Sequence, residues 1–164
     1  MQYARSRERG FTLIELLAVI ALVIACTGAS ALFLKPKDYS SEANNAKRWT
    51  DVSQIAQALK AYGRDNGKMP DGITLKSQVI GSDEANGAVN LCSALVPKYL
   101  KQIPLDPGGI RINEKSCTGK DADYVAGYAV ARYVDGSVVV SAPIAEHQEQ
   151  ISIRVPAPMP KPTQ

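Results

Sequence analysis

The sequence predicts an α+β fold: a long N-terminal α-helix, membrane-spanning in its first half and amphipathic in its second, packed on a small antiparallel β-sheet. Three observations carry this reading. Phe11 to Leu34 is a 24-residue apolar run holding one side chain that is normally charged, Glu15. From Glu42 the apolar residues recur at helical spacing. Beyond Tyr124 they alternate, and Asp135-Gly136 separates two alternating stretches as a tight hairpin signal.

The chain has 164 residues, about one domain's worth, and its 45% hydrophobic and 21% charged fractions are those of a folded protein. Lys and Arg number 19 against 16 Asp and Glu, a net charge of +3. Arg5, Arg7, Arg9 and Glu8 lie in the first ten residues; without that segment the balance is 16 to 15. So even a distribution gives no support to a nucleic-acid partner, which selects a clustered basic face.

At roughly 1.5 Å per residue, the run from Phe11 to Leu34 reaches about 36 Å, enough for a hydrocarbon core of about 30 Å with some tilt. Basic residues precede it, so the amino end stays in the cytoplasm and the remainder lies across the membrane. Three readings compete for this segment. A secretory signal would be cleaved after Ala31, in the small-x-small site Ala29-Ser30-Ala31, but its apolar core would be overlong and would contain a glutamate. A lipoprotein signal would use Val23-Ile24-Ala25-Cys26, lipidating Cys26, and must accommodate the same glutamate. The third reading gives Glu15 a role, since an intramembrane carboxylate is by default functional.

The local sequence Arg9-Gly10-Phe11-Thr12-Leu13-Ile14-Glu15-Leu16-Leu17 resembles the type IV prepilin signature: a short basic leader, glycine before the cleavage point, phenylalanine after it, and glutamate at the fifth mature position. The resemblance implies a membrane peptidase that cuts between Gly10 and Phe11 and methylates the new amino terminus at Phe11. Cleavage would make Phe11 a cationic amine with Glu15 one helical turn away. Within one chain that carboxylate complements the positive helix end, worth a few tenths to about 1 kcal/mol. Between chains, as the resemblance implies, Glu15 meets the Phe11 amine of a neighbouring subunit. Mutual neutralisation of two charges costly to bury alone then favours one axial register during assembly.

Lys35-Pro36-Lys37 marks the membrane interface, and Pro36, lacking an amide donor, predicts a bend or interruption there. Next, Ala43, Ala46, Trp49, Val52, Ile55, Ala56, Leu59 and Tyr62 form one apolar stripe, with Lys47, Arg48, Asp51, Gln54 and Lys60 largely elsewhere. The stripe is expected to cover a globular core, Trp49 included. Turn chemistry at residues 65–72 ends the helix. Residues 76–90 lack a period and read as a loop with a short helix, Leu91 to Leu100 as a brief helix, and residues 103–109 as a sharp turn. Strands are predicted over Tyr124 to Val134, Gly136 to Ala142 and Gln150 to Val155. The resulting divisions are a leader at 1–10, a hydrophobic helix at 11–34, its amphipathic second half at 35–66, an α+β head at 67–155 and a proline-rich disordered tail at 156–164.

The helix end Tyr62-Gly63-Arg64-Asp65-Asn66-Gly67-Lys68-Met69-Pro70 and the run from Val96 to Pro107 also resemble segments of type IV pilins and pseudopilins. The resemblance implies a non-enzymatic subunit of a homo-oligomeric filament, anchored in the cytoplasmic membrane and then exported. Its partners would be a prepilin peptidase, an assembly platform and an ATPase. Adhesion, motility, DNA uptake or secretion are the implied roles, with a type II secretion pseudopilin as alternative. A lipid-anchored or secreted extracytoplasmic binding domain is the alternative of another class. Cys92 and Cys117 fall in the exported part, where disulfides persist. Pairing them would close a 26-residue loop and contribute roughly 3–4 kcal/mol on the chain-entropy account. Cys26 reads as a small packing residue of the span. No catalytic motif is present, and His147 has no cysteine at zinc-ligand spacing. Calcium is the one cofactor with any basis, through the oxygen ligands Asp106, Asp121 and Asp123.

Overall fold

A computed structural model describes residues 12–33, 36–109, 117 and 123–159, with the backbone alone for 26–33 and 36–39. The chain divides into two compact units, Met1–Tyr39 and Ser40–Gln164. In the first, helix α1 spans Leu13–Phe33, with Glu15 as the acidic residue of its first turn. Its large apolar side chains from Leu13 to Ile24 are exposed. Among the described residues no helix is long and apolar enough to cross a membrane. Phe11 and Leu34, the ends of the expected span, lie outside the described residues, and the helix described between them, Leu13–Phe33, does not qualify as a span.

Helix α2 spans Pro36–Asn66. The bend or interruption expected at Pro36 adjoins residues 34 and 35, which lie outside the described residues. Gly67 closes α2 with φ +69° while its amide donates to the Gly63 carbonyl at 2.8 Å, a left-handed stop that glycine adopts without strain.

The second unit contains a four-stranded antiparallel sheet in the order β1-β2-β3-β4. The strands are β1 (Gln78–Gly81), β2 (Val125–Arg132), β3 (Val138–Ser141) and β4 (Ser152–Val155). β2, β3 and β4 lie inside the three predicted stretches, trimmed at their ends. Asp135-Gly136 forms the turn between β2 and β3: Gly136 has φ +79°, and the Asp135 carboxylate accepts from the amide and hydroxyl of Ser137. β1 corrects the reading of 76–90 as loop. In four residues it offers one inward side chain, Ile80, and one outward, Val79, too short an alternation to stand out. A 3-10 turn, Glu84–Asn86, follows, capped by Asp83. The helix expected from Leu91 to Leu100 contracts to α3, Cys92–Leu95.

The core lies between α2 and the sheet. Val52, Ile55 and Leu59 are fully buried, in one cluster with Leu91, Leu95, Tyr128 and Val140. Each such aliphatic side chain contributes about 1.5–3 kcal/mol. The first turns of the predicted stripe are wrong, however. Ala43, Ala46 and Trp49 are exposed, while Asn45, Arg48 and Asp51 are buried. The reason is geometric: followed back from Leu59 in steps of four and three, the buried line passes Ile55, Val52, Arg48 and Asn45. The head beneath those positions presents carboxylates and carbonyls. Part of the tail is also described. Pro158 is half-buried, its Cβ 3.2 Å from where a Cβ on Gly63 would stand.

Candidate functional site

Two places combine chemistry with position. The first is the start of α1. Thr12 precedes the helix; its carbonyl accepts from the amides of Glu15 at 3.1 Å and Leu16 at 3.2 Å, and its hydroxyl from the Glu15 amide at 3.4 Å. Thr12-Leu13-Ile14-Glu15 has the Thr-x-x-Glu spacing of a capped helix start. Capping fixes where the helix begins, so the Glu15 side chain stands in its first turn, exposed. Gly10 and Phe11, the expected cleavage and methylation positions, lie outside the described residues, as does the Cys26 side chain.

The second place is a buried polar cluster under the first turns of α2. The Arg48 guanidinium engages Asp106 through two bonds, Nε to Oδ2 at 2.7 Å and Nη2 to Oδ1 at 3.1 Å, with 2% and 0% of the two side chains exposed. Such a fork-to-carboxylate pair fixes direction as well as charge. Arg48 Nη1 also donates to Asn45 Oδ1 at 2.8 Å and Glu146 Oε1 at 3.3 Å. Two glycines make room. A Cβ on Gly108 would stand 2.9 Å from Arg48 Nη2, and one on Gly127, where φ is +79°, would stand 2.6 Å from the Asp106 Cβ. Beside the pair, Asp51 accepts from Lys47 Nζ at 2.6 Å and from the Tyr128 hydroxyl at 2.7 Å. Burial, then the bond to Asp51, holds the Tyr128 hydroxyl far above its ordinary range. Bonds from Ser41, Asn44 and Arg48 hold the Glu146 carboxylate below its usual value of 4.5.

This cluster escapes the sequence reading, which places Arg48 and Asp51 largely off the apolar stripe and reads Asp106 first as a turn former, with calcium binding a lesser alternative. Asp106 instead spends its two oxygens on Arg48, with Oδ1 also accepting from the Gly108 amide at 2.7 Å. Asp123 is exposed and receives the Ser82 hydroxyl at 3.4 Å, and Asp121 lies outside the described residues. Among the described residues no group of three His, Cys, Asp or Glu could hold a metal ion. Cys92, the first residue of α3, is disulfide-bonded to Cys117 across a separation of 25 residues, with Cα atoms 5.4 Å apart.

No curated protein and no solved structure matches the chain. The family model described as the prokaryotic N-terminal methylation motif matches residues 5–31. This stretch encloses Gly10, Phe11, the Thr12 cap and Glu15, and through it the chain carries the signature of type IV pilins and pseudopilins.

Proposed function

We propose that the chain is a structural, non-catalytic subunit of a type IV pilus or pilus-like filament. The single observation that supports this reading is the methylation motif at residues 5–31, with a carboxylate one turn inside the helix that follows the cleavage point. A prepilin peptidase cuts between Gly10 and Phe11 and methylates the Phe11 amine. The apolar run of the sequence from Phe11 to Leu34 holds the precursor in the cytoplasmic membrane, its basic leader on the inner side. Polymerisation then pairs Glu15 with the Phe11 amine of a neighbouring copy, each charge relieving the other of an uncompensated apolar environment. Extension needs an assembly platform and an ATPase. Adhesion, motility, DNA uptake or secretion follows from the surface of the α+β unit, which sits in the extracellular or periplasmic filament.

The test is the intact mass and amino-terminal sequence of the membrane-extracted protein. A chain beginning at N-methylated Phe11 is expected. A lipidated Cys26 or a start at Leu32 would remove Glu15 from the mature protein and overturn the proposal.

A further inference from the structure

Helix α2 is held to the rest of its unit by two different kinds of contact. From Val52 to Tyr62 the contacts are apolar, and among the described residues the apolar core takes nothing from α2 before Val52. From Ser41 to Asp51 they are hydrogen bonds and ion pairs to residues far along the chain. Asn44 donates to Glu146 Oε1 at 3.0 Å, and Asn45 donates to the Glu146 carbonyl at 2.9 Å and to Glu149 Oε2 at 2.8 Å. Asn45 Oδ1 in turn accepts from the Glu146 amide at 3.0 Å. Trp49 Nε1 donates to Glu149 Oε1 at 2.7 Å. Arg48 reaches both Asp106 and Glu146. Most acceptors in this set are carboxylate oxygens of Asp106, Glu146 and Glu149; the exceptions are the Glu146 carbonyl and the Asn45 amide oxygen.

We infer that residues 41–51 of α2 form a releasable clasp, which opens when Glu146 is neutralised while Val52 to Tyr62 stay packed on the sheet. The charged and titratable groups facing it are Lys47, Arg48 and Asp51 on α2, Asp106 on the 103–109 turn, Tyr128 on β2, and Glu146 and Glu149 before β4, with the exposed His147 between the last two in sequence. Apolar burial is indifferent to protonation, whereas an acceptor-only carboxylate that gains a proton loses acceptor capacity and charge together. Glu146 sets the sign. Its acidity is raised by partners in the folded state, so its contribution is present above 4.5 and lost as pH falls through its lower folded value. The opened segment frees the buried faces of Asn45 and Arg48 and gives the unit a hinge at Asp51-Val52. The inference stands on residues 40–159 and holds whether or not the chain polymerises.

The chain's sole tryptophan sits in the clasp. Using the full chain in detergent micelles, acrylamide quenching of Trp49 and the NMR signal of the Arg48 Nε proton read the clasp during an acid titration. The methyl signals of Ile55 and Leu59 read the core. Trp49 accessibility is expected to rise, and the Arg48 signal to vanish, about one pH unit or more before the methyl signals move. In Glu146→Gln/Glu149→Gln this early step is expected to disappear with the methyl signals unchanged. Coincident transitions in the wild-type chain, or an early step that persists in the double variant, would overturn the clasp. Should the double variant fail to fold, the wild-type titration decides alone.

Discussion

At Gly127 the backbone lies at φ +79° and the space a Cβ would fill belongs to Asp106. Gly127→Ala is therefore expected to cost about 3 kcal/mol or more, summing left-handed strain and a clash with a buried ion-pair partner. Gly87 has a similar φ, +86°, with nothing within 4 Å. Gly87→Ala is expected to cost only the conformational part, about 1–2 kcal/mol. Denaturant unfolding of the two variants separates strain from steric exclusion. The same method applies to Arg48: Arg48→Met strands a fully buried carboxylate and is expected to lose about 3–5 kcal/mol, much of it recovered in Arg48→Met/Asp106→Leu. If the double variant were no better than the single one, the fork geometry itself would be what the fold needs.

At the scale of elements, α2 shows what patterning can and cannot reveal. Its apolar half was legible because Val52, Ile55, Ala56 and Leu59 repeat at steps of three and four. Its polar half was not, because burial there depends on partners 58 to 104 residues away, and no local window contains them. Trp49 attracted the wrong assignment because it stands three residues before Val52, at the helical spacing of the apolar stripe. With 39% of its surface exposed, Trp49→Ala is expected to cost about 1 kcal/mol, the worth of a hydrogen bond, and not the 3–5 kcal/mol typical of a core tryptophan. Leu59→Ala is expected to cost about 2–5 kcal/mol. Thermal unfolding of both variants tests which face is inside. The hairpin at Asp135-Gly136 was readable because its chemistry is local, whereas β1 gains strand character only by pairing with β2 some 50 residues later. At the other site, Gly10, Phe11 and Glu15 were legible as a motif, since a short spacing carries the signal without help from the fold.

For the whole molecule, the proposed assembly makes Glu15 dispensable to folding and necessary to polymerisation. Glu15→Ala is expected to abolish filaments seen by electron microscopy while the unfolding midpoint of the α+β unit stays unchanged. Reduction of Cys92–Cys117 is expected to lower stability by roughly 3–4 kcal/mol, read from denaturant midpoints with and without reductant. The long-range bonds of Asn45 also set a timetable for folding. Its partners Glu146 and Glu149 follow it by 101 and 104 positions, so at roughly 5–20 residues per second a ribosome needs about 5–20 s to supply them. For that interval the Asn45 and Arg48 end of α2 must keep its polar groups on water, and its side-chain amide and guanidinium suit it to wait there. The nascent chain thus carries an incomplete unit whose last ties close only after the final strand's approach has been synthesised, and any helper that shields the nascent chain must act on this amino-terminal portion first.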